Sequence, residues 1–308
     1  MVIDGATNST SLVTVGVNPI NLALNSTTNR IYVVNNVINT VTVIDGATNS
    51  TSTIAVGANP RGIVVNPVTN KIYVANDDIN STTITVIDGA TNTTSTVVVG
   101  SGSLSIAVNP DTNRIYLASH SKNSVTVMDG ATNATSTVAV GSGPGTPVVN
   151  PTTNKIYVAN FNDNTVTIID GATNTTSTLA VGSGPSSIAL NSTTNRIYVA
   201  NNGSNTVSVI DGIIATTTYL LSNSNPSRYG NSVTFTATVS GWSPKGTVAF
   251  KDGANPIAGC AMQALGSTAR ATCTTSALTR GQHSITAVYS GDVNYATSTS
   301  AILAQAVK

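Results

Sequence analysis

Apolar and polar residues alternate along most of this chain in short runs of period two. K-I-Y-V-A-N (Lys71–Asn76), T-I-T-V-I-D (Thr83–Asp88) and T-S-T-V-V-V (Thr94–Val99) are representative. Such runs, rich in Val, Ile and Thr and bounded by Gly, Pro, Asn and Asp, predict β-strands. No apolar stripe at i, i+3, i+4 appears, so no helix is predicted.

The runs recur at a fixed interval. Asp-Gly pairs begin at Asp4, Asp45, Asp88, Asp129, Asp170 and Asp211, spaced by 41 residues except for one spacing of 43. Tyr32, Tyr73, Tyr116, Tyr157 and Tyr198 keep the same spacings. A repeat of about 40 residues made of short strands is the signature of a propeller blade. In the second unit, strand a covers Gly62–Asn66, b Lys71–Asn76, c Thr83–Asp88 and d Thr94–Val99. The last unit lacks d, whereas an orphan d-type run, Ser11–Val15, precedes the first complete unit. The expectation is an all-β chain whose residues 1–212 form a five-bladed propeller of four-stranded blades. The N-terminal strand would close it, removing the exposed sheet edges. The alternative is an arc of a larger ring, for example seven-bladed. The start in mid-phrase, Met1-Val2-Ile3-Asp4, favours that reading and suggests a piece of a longer array.

The phrase V-I-D-G-A-T-N raises the question of what its aspartate does. A catalytic carboxylate is normally single, whereas this one returns in every unit. Asp45, Asp88, Asp129, Asp170 and Asp211 are therefore assigned to turns, Asp accepting backbone N–H groups and Gly supplying a positive φ.

I-Y-V-A-N at Ile72–Asn76, Ile156–Asn160 and Ile197–Asn201, with its flanking V-x-V-I-D and V-G-x-x-P, resembles the Y-V-T-N propeller repeat. The resemblance covers about residues 2–212. It implies a β-propeller, often at a cell surface, and no single activity. Beyond Asp211 the period stops. Residues 213–308 read as alternating strands of sandwich size. Ser224–Val239, Gly246–Gly253 and His283–Tyr295 resemble a bacterial immunoglobulin-like domain of the tandem-repeat surface-protein type. In such a module Cys260 and Cys273 read as a disulfide, with two buried free thiols as the alternative. Tyr289 is assigned to the core or a tyrosine corner, and Trp242 to either an exposed loop or the edge of the core.

Composition narrows the function. Charged residues are 8% of the chain and the net charge is +1, with Lys and Arg scattered singly. Nucleic-acid binding needs clustered cations and is not expected. No apolar run approaches the ~20 residues of a membrane helix. No signal peptide is expected within these N-terminal residues, which lack a basic and an apolar region. His120 and His283 stand alone, without a second His or Cys at zinc-ligand spacing. A Ser-His-Asp triad would be recognisable only in three dimensions, so His120 is read as a loop histidine. D-D-I-N (Asp77–Asn80) and N-F-N-D-N (Asn160–Asn164) are oxygen-rich, and calcium is the one cofactor considered. Solvated hairpin tips are preferred to it, and no cofactor is expected. Nine N-x-[ST] sequons follow from the Asn-Ser-Thr turn chemistry.

Within the chain, the a–b and c–d turns are monotonous, and the opposite face varies. Its b–c tips supply Asp77, Asp78, His120, Lys122, Phe161, Asp163 and Asn202. Its crossings place Ile20, Arg61, Leu104, Gly145 and Ser186 near the axis. Any ligand, a glycan or a surface protein, is expected on this face. Three functions were compared. The first is a non-enzymatic extracellular or cell-surface protein of a prokaryote, its propeller a binding or adhesion platform and its second domain a spacer. The second is a structural element of a surface layer or fibre. The third, ranked last, is a propeller enzyme of lactonase or lyase type.

Overall fold

The structure, a computed structural model, describes residues 2–78, 82–100, 102, 104–292 and 294–308, without the side chain of Leu104. Among the described residues every regular element is a strand. By contacts the chain divides into two units, Met1–Ala189 with Tyr198–Ser208, and Leu190–Ile197 with Val209–Lys308.

A short hairpin of β1 (Val2–Ile3) and β2 (Thr10–Ser11) comes first. Blade 1 holds β3 (Pro19–Asn25), β4 (Arg30–Asn35), β5 (Thr40–Asp45) and β6 (Thr51–Ala55). Blade 2 holds β7 (Pro60–Asn66), β8 (Lys71–Asp77), β9 (Thr82–Asp88) and β10 (Thr94–Gly100). Blade 3 holds β11 (Leu104–Asn109), β12 (Arg114–Ser119), β13 (Ser124–Asp129) and β14 (Thr135–Ala139). Blade 4 holds β15 (Val148–Asn150), β16 (Lys155–Asn160), β17 (Thr165–Asp170) and β18 (Thr176–Ala180). Each is an antiparallel meander in sequence order. The fifth sheet has three strands, β19 (Pro185–Asn191), β20 (Arg196–Asn201) and β21 (Thr206–Asp211). The expected strand boundaries hold to within about two residues.

Closure by the N-terminal strand does not occur. Instead, β2 pairs with β1 through Val2↔Ser11 and Ile3↔Thr10. The two strands are joined by a D-G-A-T-N turn, so their pairing closes a short loop. Pairing with a blade about 200 residues away would cost far more chain entropy.

Period-two alternation sends one set of side chains of each blade to the blade before and the other to the blade after. Tyr32, Val34, Val41 and Val43 of blade 1 pack on Ile63, Ile72, Val74 and Ile87 of blade 2. Tyr73, Ala75, Ile84 and Val86 do the same to Ile106, Ile115, Leu117 and Met128 of blade 3. Tyr116, Ala118, Val125 and Val127 meet Ile156, Val158 and Ile169 of blade 4.

The monotonous face is a belt of polar links. Asp45, Asp88, Asp129 and Asp170 each accept, on Oδ1, the N–H groups two and three residues on, at 2.9–3.0 Å. For Asp45, Asp88 and Asp129 these bonds, led by the Thr N–H, hold the carboxyl below its usual range. At Asp170 desolvation works the other way. The Lys155 ammonium 2.6 Å away and the Thr173 and Ala172 N–H groups outweigh it and bring the carboxyl to about 2. Asp211 instead pairs with Arg196 Nε at 2.8 Å.

The expected positive φ at the Asp-Gly glycine is not found. It falls on the asparagine that ends the turn, with φ of 57–61° at Asn8, Asn49, Asn92, Asn133 and Asn174. The glycines serve close approach. Gly46, Gly89, Gly130 and Gly171 donate N–H to the carbonyls of Asn29, Asn70, Asn113 and Asn154 at 2.8 Å, and a Cβ there would collide with those asparagines. Three of these asparagines also accept from the preceding blade. Asn25 donates to Asn70, Asn66 to Asn113 and Asn109 to Asn154, each at 2.8 Å.

In the second unit one sheet holds β22 (Thr218–Ser222), β23 (Val233–Val239) and β27 (Arg270–Thr275). The other holds β24 (Thr247–Asp252), β25 (Asn255–Pro256), β26 (Gln263–Ala264), β28 (Gly281–Tyr289), β29 (Ser298–Thr299) and β30 (Leu303–Val307). Phe235, Phe250, Ile285, Tyr289 and Tyr295 fill the core between them. Cys260 and Cys273 form a disulfide with Cα atoms 5.5 Å apart. Tyr289 belongs to the core. Trp242 is exposed, its backbone N–H donating to the Tyr295 hydroxyl.

Candidate functional site

The variable face of the first unit opens into a cleft of about 430 Å³. Its polar lining comes from Asn21, Arg61, Ser105, His120 and Thr146, its apolar lining from Ile63, Ile106 and Pro144. Four successive blades contribute. Asn21, Gly62, Ser105 and Thr146 stand at the same place in the four repeats, so this part of the wall is short and neutral apart from the Arg61 guanidinium. A neighbouring cavity of about 280 Å³ shares Thr146 and adds Ser186 and Ser187.

Arg61 and His120, which come from different loops, both line this cleft. Asp77 is joined to them through Arg61, its Oδ2 lying 3.2 Å from Nε. Asp77 is the more buried partner, at 18% against 53% side-chain exposure, so it acts as the fixed point holding the guanidinium. Asp78 follows β8 directly and is half-buried. Leu104 opens β11, and its side chain lies outside the described residues, as do Ile79 and Asn80 of the oxygen-rich tip.

The other nominated residues do not line the cleft. Lys122 and Phe161 are exposed at their hairpin tips. Asp163 accepts the Ser142 N–H at 2.6 Å, and the Asn202 N–H reaches the Gly184 carbonyl at 2.9 Å. Both tie a tip to the crossing beside it. Among the described residues, no group of three or more His, Cys, Asp or Glu side chains converges. His283 lies in the second unit, 2.6 Å from Asp252 and 2.8 Å from the Thr279 carbonyl.

Asn21, Ser105 and Thr146 were missed by one position. In the first two blades the inner strand carries a bulge. The ladder slips between Pro19 and Asn21 and again between Pro60 and Gly62, so Arg61 is an extra residue and both it and its successor reach the cleft. Proline at the strand start, unable to donate to the ladder, was the available signal.

A propeller with its polar cleft on the variable face, followed by an immunoglobulin-like sandwich, defines the class. The chain belongs to the lactonase family of seven-bladed β-propellers, whose family model matches residues 37–219. Residues 220–308 match the bacterial Ig-like domain of group 3. The propeller and Ig-like parts of the expectation thus stand. The non-enzymatic reading does not, because membership of a lactonase family points to catalysis. That reading had required convergent carboxylates or a metal-binding histidine, whereas the family match stands independently of either.

No curated protein matches the chain. Solved structures share its fold. A functionally unknown protein from Desulfotomaculum acetoxidans is 14% identical with a TM-score of 0.55, over 85% of this chain and 90% of that one. Hydrazine synthase of Kuenenia stuttgartiensis is 15% identical with a TM-score of 0.51, over 76% and 80%. The dihydro-heme d1 dehydrogenase NirN is 14% identical with a TM-score of 0.51, over 63% of this chain and 46% of that one.

Proposed function

We propose that the cleft opens a lactone by hydrolysis. The observation that carries this reading is that Arg61 and His120 line one cleft of a lactonase-family propeller. Water attacks the lactone carbonyl while the His120 imidazole takes its proton. Negative charge grows on the carbonyl oxygen, and the Arg61 guanidinium, held by Asp77, stabilises it. The ring C–O bond then breaks, and His120 returns the proton to the departing alkoxide. The product is a hydroxy acid, which releases its carboxyl proton to solvent, and Arg61 attracts the carboxylate so formed.

The disulfide and the bacterial Ig-like domain support an extracellular or cell-surface setting, because disulfides persist in oxidising compartments. In that setting the Ig-like domain is a spacer and the propeller the ligand-bearing part.

The test is acid release from a panel of lactones of varied ring size, followed in a pH-stat. The full chain is expected to hydrolyse at least one. His120→Ala should lower kcat by about 10²-fold or more, as expected for loss of a general base. Arg61→Ala should lower kcat/KM. Turnover that survives both changes, or its absence across the panel, overturns the proposal.

A further inference from the structure

His283, in the second unit, has an acceptor at each of its ring nitrogens. Nδ1 lies 2.6 Å from Asp252 Oδ2, and Nε2 lies 2.8 Å from the Thr279 carbonyl. A neutral imidazole has one N–H and one lone pair, so it can satisfy only one of the two. The imidazolium donates to both. The side chain is 10% exposed, so little water is at hand to replace a bond lost there.

The two acceptors stand on different elements. Asp252 ends β24, and its Oδ1 also accepts the Ser284 N–H at 3.2 Å. Thr279 lies in the segment 276–280 that joins β27 to β28. Leu278 of that segment packs on the core, and the Arg280 guanidinium stands 5.3 Å over the Tyr229 ring. Gln305, opposite His283 on β30, is uncharged. Lys251 precedes Asp252 on β24, and strand alternation sends it to the other face of the sheet. Asp252 is thus the charge that His283 meets.

We propose that His283 is a proton-operated clamp. As the imidazolium it ties segment 276–280 to the end of β24, and the segment opens when the proton leaves. The Thr279 carbonyl, opposed by desolvation and aided by Asp252, holds the proton above the ordinary 6.5. A group raised in the folded state gives its full stabilisation below 6.5 and loses it as pH rises through the raised value. The immunoglobulin-like domain is therefore tight in acid and loosens in alkali, the reverse of what Asp170 does for the propeller.

The full chain carrying His120→Gln keeps a single imidazole, whose Cε1–H resonance should titrate with a midpoint above 6.5. This titration reads the clamp without altering it. In the wild-type chain, trypsin cleavage after Arg280, normalised at each pH to that of a small peptide, should accelerate from about pH 6 to about pH 9. Over the same range the calorimetric transition of this domain should fall by about 5 °C or more. His283→Gln, which has no proton to lose there, should show neither change, and Asp252→Asn should lower the midpoint. A midpoint at or below 6.5, wild-type cleavage that does not vary with pH, or a His283→Gln chain that keeps the wild-type pH profile overturns the proposal.

Discussion

At Gly130 a methyl group would have nowhere to go. It would lie 2.6 Å from Asn113 Oδ1 and 2.7 Å from the buried Tyr73 hydroxyl of the preceding blade. Gly130→Ala must push a turn and a neighbouring blade apart, and about 1–3 kcal/mol of stability should be lost in urea titration. Asn92, with φ at 60°, has the opposite requirement. Asn92→Gly should be nearly neutral, whereas Asn92→Ala should cost roughly 1 kcal/mol, the strain of a left-handed residue with a Cβ. If Gly130→Ala proves harmless and Asn92→Ala does not, glycine at this turn is not there for space. Asp170 allows a pH test at the same scale. Its carboxyl lies at about 2 against an ordinary 3.8, so it stabilises the fold fully above 3.8 and progressively less as pH falls toward 2. Acid denaturation of the propeller should steepen in that window. Lys155→Met, which removes the partner 2.6 Å away, should shift the loss to higher pH.

Between elements, the asparagine ladder joins blades that backbone pairing does not. Asn66 is fully buried and its Nδ2 donates to Asn113 Oδ1. Asn66→Ala leaves that oxygen unpaired and should cost about 1–3 kcal/mol. Asn66→Asp keeps the shape but turns the donor into an acceptor facing another acceptor. It should be the worse of the two by chemical denaturation, and an Asp variant as stable as wild type would reduce the ladder to packing. Strand identity and bounds at this scale were legible because alternation and turn residues are local signals. The 41-residue period then fixed which strands share a blade. The bulges at Ile20 and Arg61 were not legible, because a bulge is a property of a pair of strands. That one-residue slip is why both Arg61 and its successor Gly62 reach the cleft. His120 was visible only as a lone histidine, since Arg61, which lines the same cleft, sits 59 positions earlier in the chain.

For the whole molecule, the two cores are disjoint. Phe235, Phe250 and Tyr289 belong to a cluster that contains no residue of the blade–blade clusters. Cys260 and Cys273 lie in that cluster, 4% and 1% exposed, and their bond closes a separation of 13 residues. By the loop-entropy argument it contributes about 3 kcal/mol to its own domain. Replacing both cysteines by alanine should therefore lower one calorimetric transition by more than ~10 °C, given the steep dependence of Tm on stability in a domain of about 90 residues. The propeller transition should stay in place. So should lactone hydrolysis below the lowered transition, because every residue lining the cleft comes from the first unit. Reductant added to the wild-type chain should reproduce the calorimetric shift without touching turnover. A parallel loss of turnover while the propeller remains folded would mean that the second domain takes part in the chemistry, and the spacer role would have to be abandoned.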